Sequence, residues 1–287
     1  MKLGVVVSII LSIIVLIQQG CESKVVQFII GDSLSDVGNN QYLSKSLAKA
    51  NLPWYGIDFG NGLPNGRFCN GRTVADIIGD KMELPRPRAY LDPSLSEDVI
   101  LENGINFASG GGGILNDTGN LFMLHSLGAR RLIVFGLGPM GCIPLQRVLS
   151  TSGGCQDRTN QLAMAFNEGA ANLVNELSAT LPNASFKFGD AYDVVNDLIT
   201  NPNKYGFSNS DSPCCSFGRI RPALTCIPAS TLCKDRSKYV FWDEYHPTDS
   251  ANELVANEMI KKLGFLKVNG TDNASSPGPA MPPSSND

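Results

Sequence analysis

The chain has 287 residues, a length that suits one sizeable α/β domain or at most two small ones. Its formal net charge is −4, and acidic and basic residues are mixed along the sequence without a basic run or a basic–aromatic stripe. This composition is that of an ordinary globular protein and argues against an electrostatic nucleic-acid binder.

The N-terminus has the pattern of a secretory signal. Lys2 precedes an apolar stretch over residues 3–17, and polar residues follow before Cys21. The stretch is shorter than the ~20 residues needed to cross a bilayer, so cleavage is favoured over a retained anchor. We therefore expect residues 1–23 to be a signal peptide and the protein to be secreted, with no stable membrane anchor after cleavage.

Four short apolar runs predict the strands of a sheet. Residues 25–30 form a continuous β-branched run, as in a strand that is buried on both faces. The other three runs are residues 104–108, 132–135 and 185–188. Helical patterns over 160–180 and 248–263 follow the third and fourth runs. Strands that alternate with helices imply right-handed crossovers, so we expect an α/β fold with a mostly parallel sheet.

Four tripeptides match the N-glycosylation pattern, which fits an extracellular protein. They begin at Asn116, Asn183, Asn269 and Asn273. The last two lie in residues 269–287, a segment rich in Ser, Pro, Gly and Asn that we expect to be a disordered tail.

Seven cysteines follow Cys21, and four of them lie close together at Cys214, Cys215, Cys226 and Cys233. Because this cluster has no C-x-x-C pair and no neighbouring histidine, it favours disulfides over a zinc site. An odd number of cysteines implies at least one free thiol, and the sequence leaves the pairing open. A disulfide-rich binding module is an alternative reading of the same cluster.

A candidate nucleophile, Ser33, lies in the segment Gly-Asp-Ser-Leu-Ser-Asp over residues 31–36. This segment follows the first predicted strand, and open α/β sheets place their sites at the carboxyl ends of their strands. The alternative is that Ser33 caps a helix, with Asp36 as an acid in its first turn.

Asp243 and His246 are a candidate acid and base. Their spacing of three brings both side chains to the same side of a helical turn or a tight loop. Asp243 could then accept a hydrogen bond from one ring nitrogen of His246, while the other nitrogen takes a proton from Ser33. The chain has only two histidines, and the other, His125, lies in a helix-end pattern. A surface acid–histidine pair at a helix start is the alternative.

Together these motifs resemble the plant-type GDSL esterase/lipases of the SGNH hydrolase superfamily, with a hydrolase domain over residues 24–268. The matching blocks are residues 28–40, 104–111 and 241–248. On them, Ser33 falls on the nucleophile, Gly111 on the oxyanion-hole glycine, and Asp243 and His246 on the catalytic acid and base. Gly111 belongs to a glycine run whose backbone N–H groups are open to a ligand.

This resemblance implies a flavodoxin-like three-layer sandwich. It also implies a serine esterase or lipase that forms an acyl-serine intermediate, with the backbone N–H groups of Ser33 and Gly111 holding the oxyanion. No metal or organic cofactor and no nucleic-acid partner are expected. The substrate class implied is a small-molecule ester of a lipid, a cuticle monomer or an acylated sugar.

One block of the family is missing. It is a strand that ends in Gly-x-Asn-Asp, and its asparagine completes the oxyanion hole. Roughly 60–80 residues, about two βα units, are expected to be absent near residues 119–126. Asn116 and Asp117 are not a substitute, because they lie in the loop after the second block and form a glycosylation sequon.

The expected sheet order 2-1-3-4-5 places the missing strand between residues 25–30 and 132–135. Its loss would leave main-chain groups of both strands unpaired, unless these two strands pair directly with each other. The alternative function is therefore a catalytically impaired, splice-type variant that binds its ligand without turnover.

Overall fold

The computed structural model describes residues 25–112, 129–217 and 226–264. The strands in these ranges are β1 (Gln27–Ile29), β2 (Arg88–Ala89), β3 (Gly104–Asn106), β4 (Arg131–Phe135), β5 (Ser185–Gly189), β6 (Asn209–Pro213), β7 (Cys215–Ser216), β8 (Thr231–Leu232) and β9 (Tyr239–Phe241). The α-helices are α1 (Asn39–Tyr42), α2 (Val74–Lys81), α3 (Glu97–Asn103), α4 (Pro144–Leu149), α5 (Asp157–Thr180), α6 (Tyr192–Thr200) and α7 (Asp249–Leu263). Short 3₁₀ segments occur at Met140–Cys142, Pro202–Tyr205 and Arg236–Lys238.

The sheets are mainly parallel, as the alternation of strands and helices predicted. β1, β3 and β2 form one parallel sheet in that order, β4 pairs with β5, and β6 pairs with β9, both in parallel. β7 and β8 form an antiparallel pair within the cysteine cluster. The structure thus has the mixed α/β architecture expected from the sequence.

Helices cover both faces of the β4–β5 pair. Leu132 and Val134 pack with Phe186 against Val174 and Leu177 of α5. Between them in sequence, Ile133 packs into a second core that includes Met259 of α7. Because successive side chains of a strand point to opposite faces, this alternation places one helix on each side and gives three layers.

The prediction that residues 25–30 form a strand buried on both faces was wrong. β1 has only three residues, and Phe28 and Ile30 are 63% and 67% exposed. Within the described ranges, β1 pairs only with β3, and β4 pairs only with β5, so the direct pairing of β1 with β4, which the sequence left open as an alternative, is not formed. An apolar strand without a second neighbour has little to pack against, which explains its exposure.

Two helices join the part of the chain that carries β1 to the part that carries β9. Ile77 and Ile78 of α2 pack against Ala256 of α7. At the start of α7, the carboxylate of Asp249 accepts hydrogen bonds from the backbone N–H, Nε and Nη2 of Arg72 at 2.6–3.0 Å. Direct helix packing and a multidentate ion pair therefore connect the two sheets.

Local capping explains where both helices begin. The Thr73 side chain accepts a hydrogen bond from the Asp76 backbone N–H, and the Asp76 side chain accepts one from the Thr73 backbone, which is a capping box. The Thr248 side chain caps α7 by accepting from the Ala251 backbone N–H. Gly264 ends α7 with φ +65°, a left-handed conformation that glycine adopts readily.

Several predicted features lie outside the described residues. They are the signal peptide (1–23), the shortened junction (119–126), the tail (269–287), His125, and the sequons at Asn116, Asn269 and Asn273. In the part of the chain that is described, no helix combines the length and apolar character that a membrane span requires.

Candidate active site

Ser33 lies in a tight turn directly after β1. The Ser35 backbone N–H donates to the Asp32 carbonyl at 3.2 Å, and the Leu34 N–H donates to the Asp32 carboxylate at 2.9 Å. The first helix that follows, α1, begins only at Asn39 and has Gly38 at its N-cap position. The alternative that Ser33 caps a helix was therefore wrong.

Asp36 fixes the far end of this turn. Its buried carboxylate accepts hydrogen bonds from the backbone N–H groups of Gly38 and Asn39, both at 2.7 Å, and from Gly110 at 3.0 Å. Burial raises the pKa of Asp36 above its ordinary value, although these hydrogen bonds act in the opposite direction. The sequence had suggested only a first-turn acid here, and Asp36 instead ties the nucleophile turn to the glycine loop after β3.

His246 is held in a tight loop that leaves β9 and leads into α7. The backbone N–H of Trp242 donates to the carbonyl of His246 at 2.7 Å, which closes the loop. Inside it, Asp243 Oδ1 accepts from the backbone N–H groups of Tyr245 and His246, each at 2.9 Å. The spacing of three thus brings both side chains to one side, as the sequence predicted.

The structure brings the three predicted residues together, across 213 positions of sequence between the serine and the histidine. Ser33 Oγ lies 2.7 Å from His246 Nε2. His246 Nδ1 lies 2.8 and 2.9 Å from the two carboxylate oxygens of Asp243. These distances form a continuous hydrogen-bonded chain from hydroxyl to imidazole to carboxylate.

The pKa of Asp243 lies below its ordinary value although the residue is fully buried. Burial alone would raise its pKa, but the neighbouring imidazole of His246 and the hydrogen bonds from its ring and from the backbone lower the pKa overall. The hydroxyl of Tyr55 also donates to Asp243 Oδ2 at 2.8 Å. Tyr55 is fully buried and lies 188 positions away in sequence, so no short motif could have indicated this contact.

Glu244 is a second buried carboxyl group beside the acid. Its side chain is 0% exposed, and neither carboxyl oxygen has a hydrogen-bond partner within the described residues. Burial, and then the negative charge of Asp243, raise the pKa of Glu244 to about 7. Glu244 therefore holds its proton at pH values where an ordinary glutamate is ionised.

Gly111 lies in a loop that borders the nucleophile turn. The Ser109 backbone N–H donates to the carbonyl of Gly31 at 3.1 Å, and a Cβ added to Gly112 would lie 3.3 Å from that carbonyl oxygen. Gly111 itself is exposed and has φ +82°, a conformation that favours glycine. The loop thus carries backbone N–H groups along the edge where Ser33 lies.

The described residues contain three disulfides, two of them within the cysteine cluster that indicated disulfides and one outside it. They join Cys142 to Cys155, Cys214 to Cys233, and Cys215 to Cys226. The odd count implied at least one free thiol, and among the described cysteines Cys69 is free and buried. The described residues contain no group of three or more side chains suited to hold a metal ion.

Comparison with known proteins identifies the family. Residues 118–259, which contain Asp243 and His246, match the family model of the GDSL-like Lipase/Acylhydrolase. The GDSL esterase/lipase At1g74460 of Arabidopsis thaliana is 55% identical over 353 aligned positions, which cover 95% of this chain and 96% of that relative. The chain belongs to the GDSL esterase/lipase family. Two further relatives from the same plant are GDSL esterase/lipase At5g37690, 34% identical with 99% of each chain covered, and GDSL esterase/lipase 7, 33% identical with 82% of this chain and 87% of that relative covered.

Membership of the GDSL esterase/lipase family makes this protein a carboxylic-ester hydrolase with small-molecule ester substrates. The alignment with At1g74460 is longer than this GDSL chain, so at least 66 aligned positions (353 less 287) have no residue here. This number is compatible with the roughly 60–80 residues expected from the sequence to be absent.

Proposed function

We propose that the protein is a secreted serine esterase or lipase that hydrolyses carboxylic esters through an acyl-serine intermediate. The observation that carries this proposal is the hydrogen-bonded chain from Ser33 Oγ through His246 to Asp243, with 2.7 and 2.8 Å separations. A hydroxyl within reach of an imidazole that is itself oriented by a buried carboxylate is the arrangement needed to activate a serine. The same intact geometry favours turnover over ligand binding without catalysis.

The proposed reaction has two halves. Ser33 Oγ attacks the acyl carbonyl while His246 Nε2 takes its proton, and His246 then gives that proton to the departing alcohol. In the second half, a water molecule gives a proton to His246 and attacks the acyl carbonyl, and His246 then returns that proton to Ser33 Oγ as the carboxylic acid leaves. Asp243 keeps the proton of the neutral imidazole on Nδ1 and stabilises the imidazolium that forms in each half.

We assign the oxyanion hole to the backbone N–H groups of Ser33 and Gly111. The support is the position of the glycine loop beside the nucleophile turn and the left-handed backbone of Gly111. A family member that contains the third block would have one further donor to the oxyanion, from the side chain of its asparagine. Loss of one such donor typically lowers the rate by ~10²–10³, which still leaves a measurable enzyme.

We further propose that the absent segment includes the strand that would lie between β1 and β4. Two observations support this proposal. The alignment with At1g74460 contains positions that have no residue in this chain, and β1 pairs with β3 while β4 pairs with β5, in separate sheets. The Ser33–His246 hydrogen bond is formed despite this separation.

Secretion and glycosylation belong to the same proposal. Three disulfides favour an oxidising compartment. Asn183, the sequon residue within the described ranges, is exposed and has φ +58° in the turn between α5 and β5. Its side chain is therefore accessible to a glycosyltransferase, and residues 1–23 would direct the chain to that compartment.

The test is hydrolysis of a short p-nitrophenyl ester by the purified chain. We expect Ser33→Ala and His246→Ala each to abolish the activity, because either change breaks the hydroxyl–imidazole pair. Ser35→Ala is the matched control, since it removes a neighbouring hydroxyl from the same turn. Activity that survives Ser33→Ala would refute the acyl-serine mechanism.

A further inference from the structure

The glycine loop after β3 contains a β-turn. The backbone N–H of Gly112 donates to the carbonyl of Ser109 at 2.9 Å, which closes the turn over residues 109–112. Gly111 is the third residue of this turn, and its φ of +82° is typical of that position in a type II turn. Within the described residues, the backbone N–H of Gly111 donates to no protein group. It is therefore available to a substrate.

The central peptide group of this turn decides where that N–H points. The carbonyl of Gly110 and the N–H of Gly111 belong to one peptide group, and in a planar trans peptide they point in opposite directions. Type I and type II turns differ by a flip of this central peptide. Both residues that flank it are glycines, which adopt either backbone conformation without steric cost. The turn alone therefore does not fix the direction of the N–H.

Asn40 holds this peptide group by its carbonyl. Its Nδ2 donates to the carbonyl of Gly110 at 2.7 Å, and its Oδ1 accepts from the hydroxyl of Ser109 at 2.6 Å. On the side away from the turn, Nδ2 also donates to Ser46 Oγ at 3.2 Å and to the carbonyl of Ala48 at 3.1 Å. The Asn40 side chain is 1% exposed, so water competes little for these hydrogen bonds.

Packing encloses the same peptide group at Gly110. A Cβ added to Gly110 would lie 2.7 Å from Asn40 Nδ2 and 2.6 Å from Cζ of Phe68. The ring of Phe68 packs in turn against His246, with 5.2 Å between the ring centroids. At Gly111, an added Cβ would meet nothing within 4 Å. The turn is thus closed at Gly110 and open at Gly111.

We propose that Asn40 is a positioning residue of the reaction. By holding the carbonyl of Gly110, it fixes the N–H of Gly111 in the orientation that stabilises the oxyanion. A donor that already points at the developing charge needs no reorganisation during the reaction. This inference rests on the proposed function, which assigns the Gly111 N–H to the oxyanion hole.

The test is the kcat of Asn40→Asp for a short p-nitrophenyl ester. The new carboxylate oxygen repels the carbonyl of Gly110 and favours the flipped peptide, whose N–H points away from the oxyanion. We expect kcat to fall ~10²–10³-fold, the effect of losing one oxyanion donor, while KM changes much less. As the pH falls, the ratio of variant to wild-type kcat should recover, because a protonated carboxyl group can again donate to that carbonyl.

Ser109→Ala is a milder second variant, since it leaves the buried amide in place. It removes the hydroxyl that orients this amide and should lower kcat about tenfold. Ser46→Ala is the matched control. Ser46 and Ser109 are both half-buried and both contact the Asn40 amide, but Ser46 lies on the side away from the turn. Its kcat should therefore equal that of the wild type.

A p-nitrophenyl phosphonate that reacts once with Ser33 counts the folded, competent sites, so that kcat is expressed per active site. A purely structural role of Asn40 would lower this count and leave kcat per site unchanged. Wild-type kcat per site in Asn40→Asp, or an equal fall in Ser46→Ala and Ser109→Ala, would overturn the inference and leave the proposed function intact. Absence of Ser33-dependent turnover in the wild type would instead refute the proposed function, and the inference with it.

Discussion

Replacement of Glu244 by glutamine tests whether a buried carboxyl group makes the stability of this protein depend on pH. Glu244 is 0% exposed, both of its oxygens lack partners within the described residues, and its pKa is raised from 4.5 to about 7. In the unfolded chain the same carboxyl group is solvated and titrates in its ordinary range. The folded state therefore holds this proton more tightly than the unfolded state.

The sign and size of the effect follow from this difference. Below about pH 4.5 both states are protonated, and the group contributes no pH dependence. As the pH rises to about 7, the unfolded state releases the proton while the folded state retains it, so the free energy of unfolding falls. Because one pKa unit corresponds to about 1.4 kcal/mol, the loss attributable to Glu244 reaches about 3 kcal/mol above pH 7.

Urea unfolding at a series of pH values, followed by the fluorescence of the buried Trp242, measures this loss. Glu244→Gln cannot ionise, so its free energy of unfolding should decline less over the same range by about 3 kcal/mol. Glu102→Gln, at an exposed position of α3, is the matched control and should keep the wild-type pH dependence. Identical pH dependence in wild type and Glu244→Gln would refute the reasoning.

Three further changes test other contacts. Tyr55→Phe removes a hydrogen-bond donor to the buried Asp243, which costs about 1–3 kcal/mol, so kcat/KM for a p-nitrophenyl ester should fall about tenfold. An unchanged kcat/KM would show that this hydrogen bond does not contribute to catalysis. Replacing Cys142 and Cys155 by serine should lower the free energy of unfolding, measured in urea, by about 3 kcal/mol, the value for a loop of this length; no loss would contradict the entropic estimate. In the mature chain without residues 1–23, Ellman's reagent should detect one thiol, Cys69, when the protein is unfolded without reduction. It should detect none in the folded protein, because burial raises the pKa of Cys69 to about 12. Rapid labelling of the folded protein would contradict this.

Local patterns predicted the parts of the fold that depend on neighbouring residues. The runs at 132–135 and 185–188 became β4 and β5, and the periodic segment from 160 became most of α5. The strand β6, Asn209–Pro213, was missed because its sequence is Asn-Ser-Asp-Ser-Pro, which has low strand propensity. It forms beside β9, and the disulfide at Cys214 follows it directly, so tertiary contacts decide its conformation.

The site was predictable where its chemistry is carried by short motifs. Ser33, Asp243 and His246 each belong to such a motif, and the structure brings them into contact. Tyr55 and the anchoring role of Asp36 depend on contacts 188 and 74 positions apart, which sequence spacing does not reveal. The error for residues 25–30 has a different cause. An apolar run indicates that the side chains of a strand can be buried, but it does not indicate whether a neighbouring element is present to cover them.

The nucleophile and the base lie on different sheets, and this separation changes what determines their alignment. In a continuous sheet, a ladder of main-chain hydrogen bonds would fix the distance between Ser33 and His246. Within the described chain, side-chain contacts connect the two instead, among them the packing of α2 on α7, the Arg72–Asp249 pair and the hydrogen bond from Tyr55 to Asp243. The share of this alignment that the partly exposed Arg72–Asp249 ion pair carries is weakened by salt, whereas the share carried by buried packing is not.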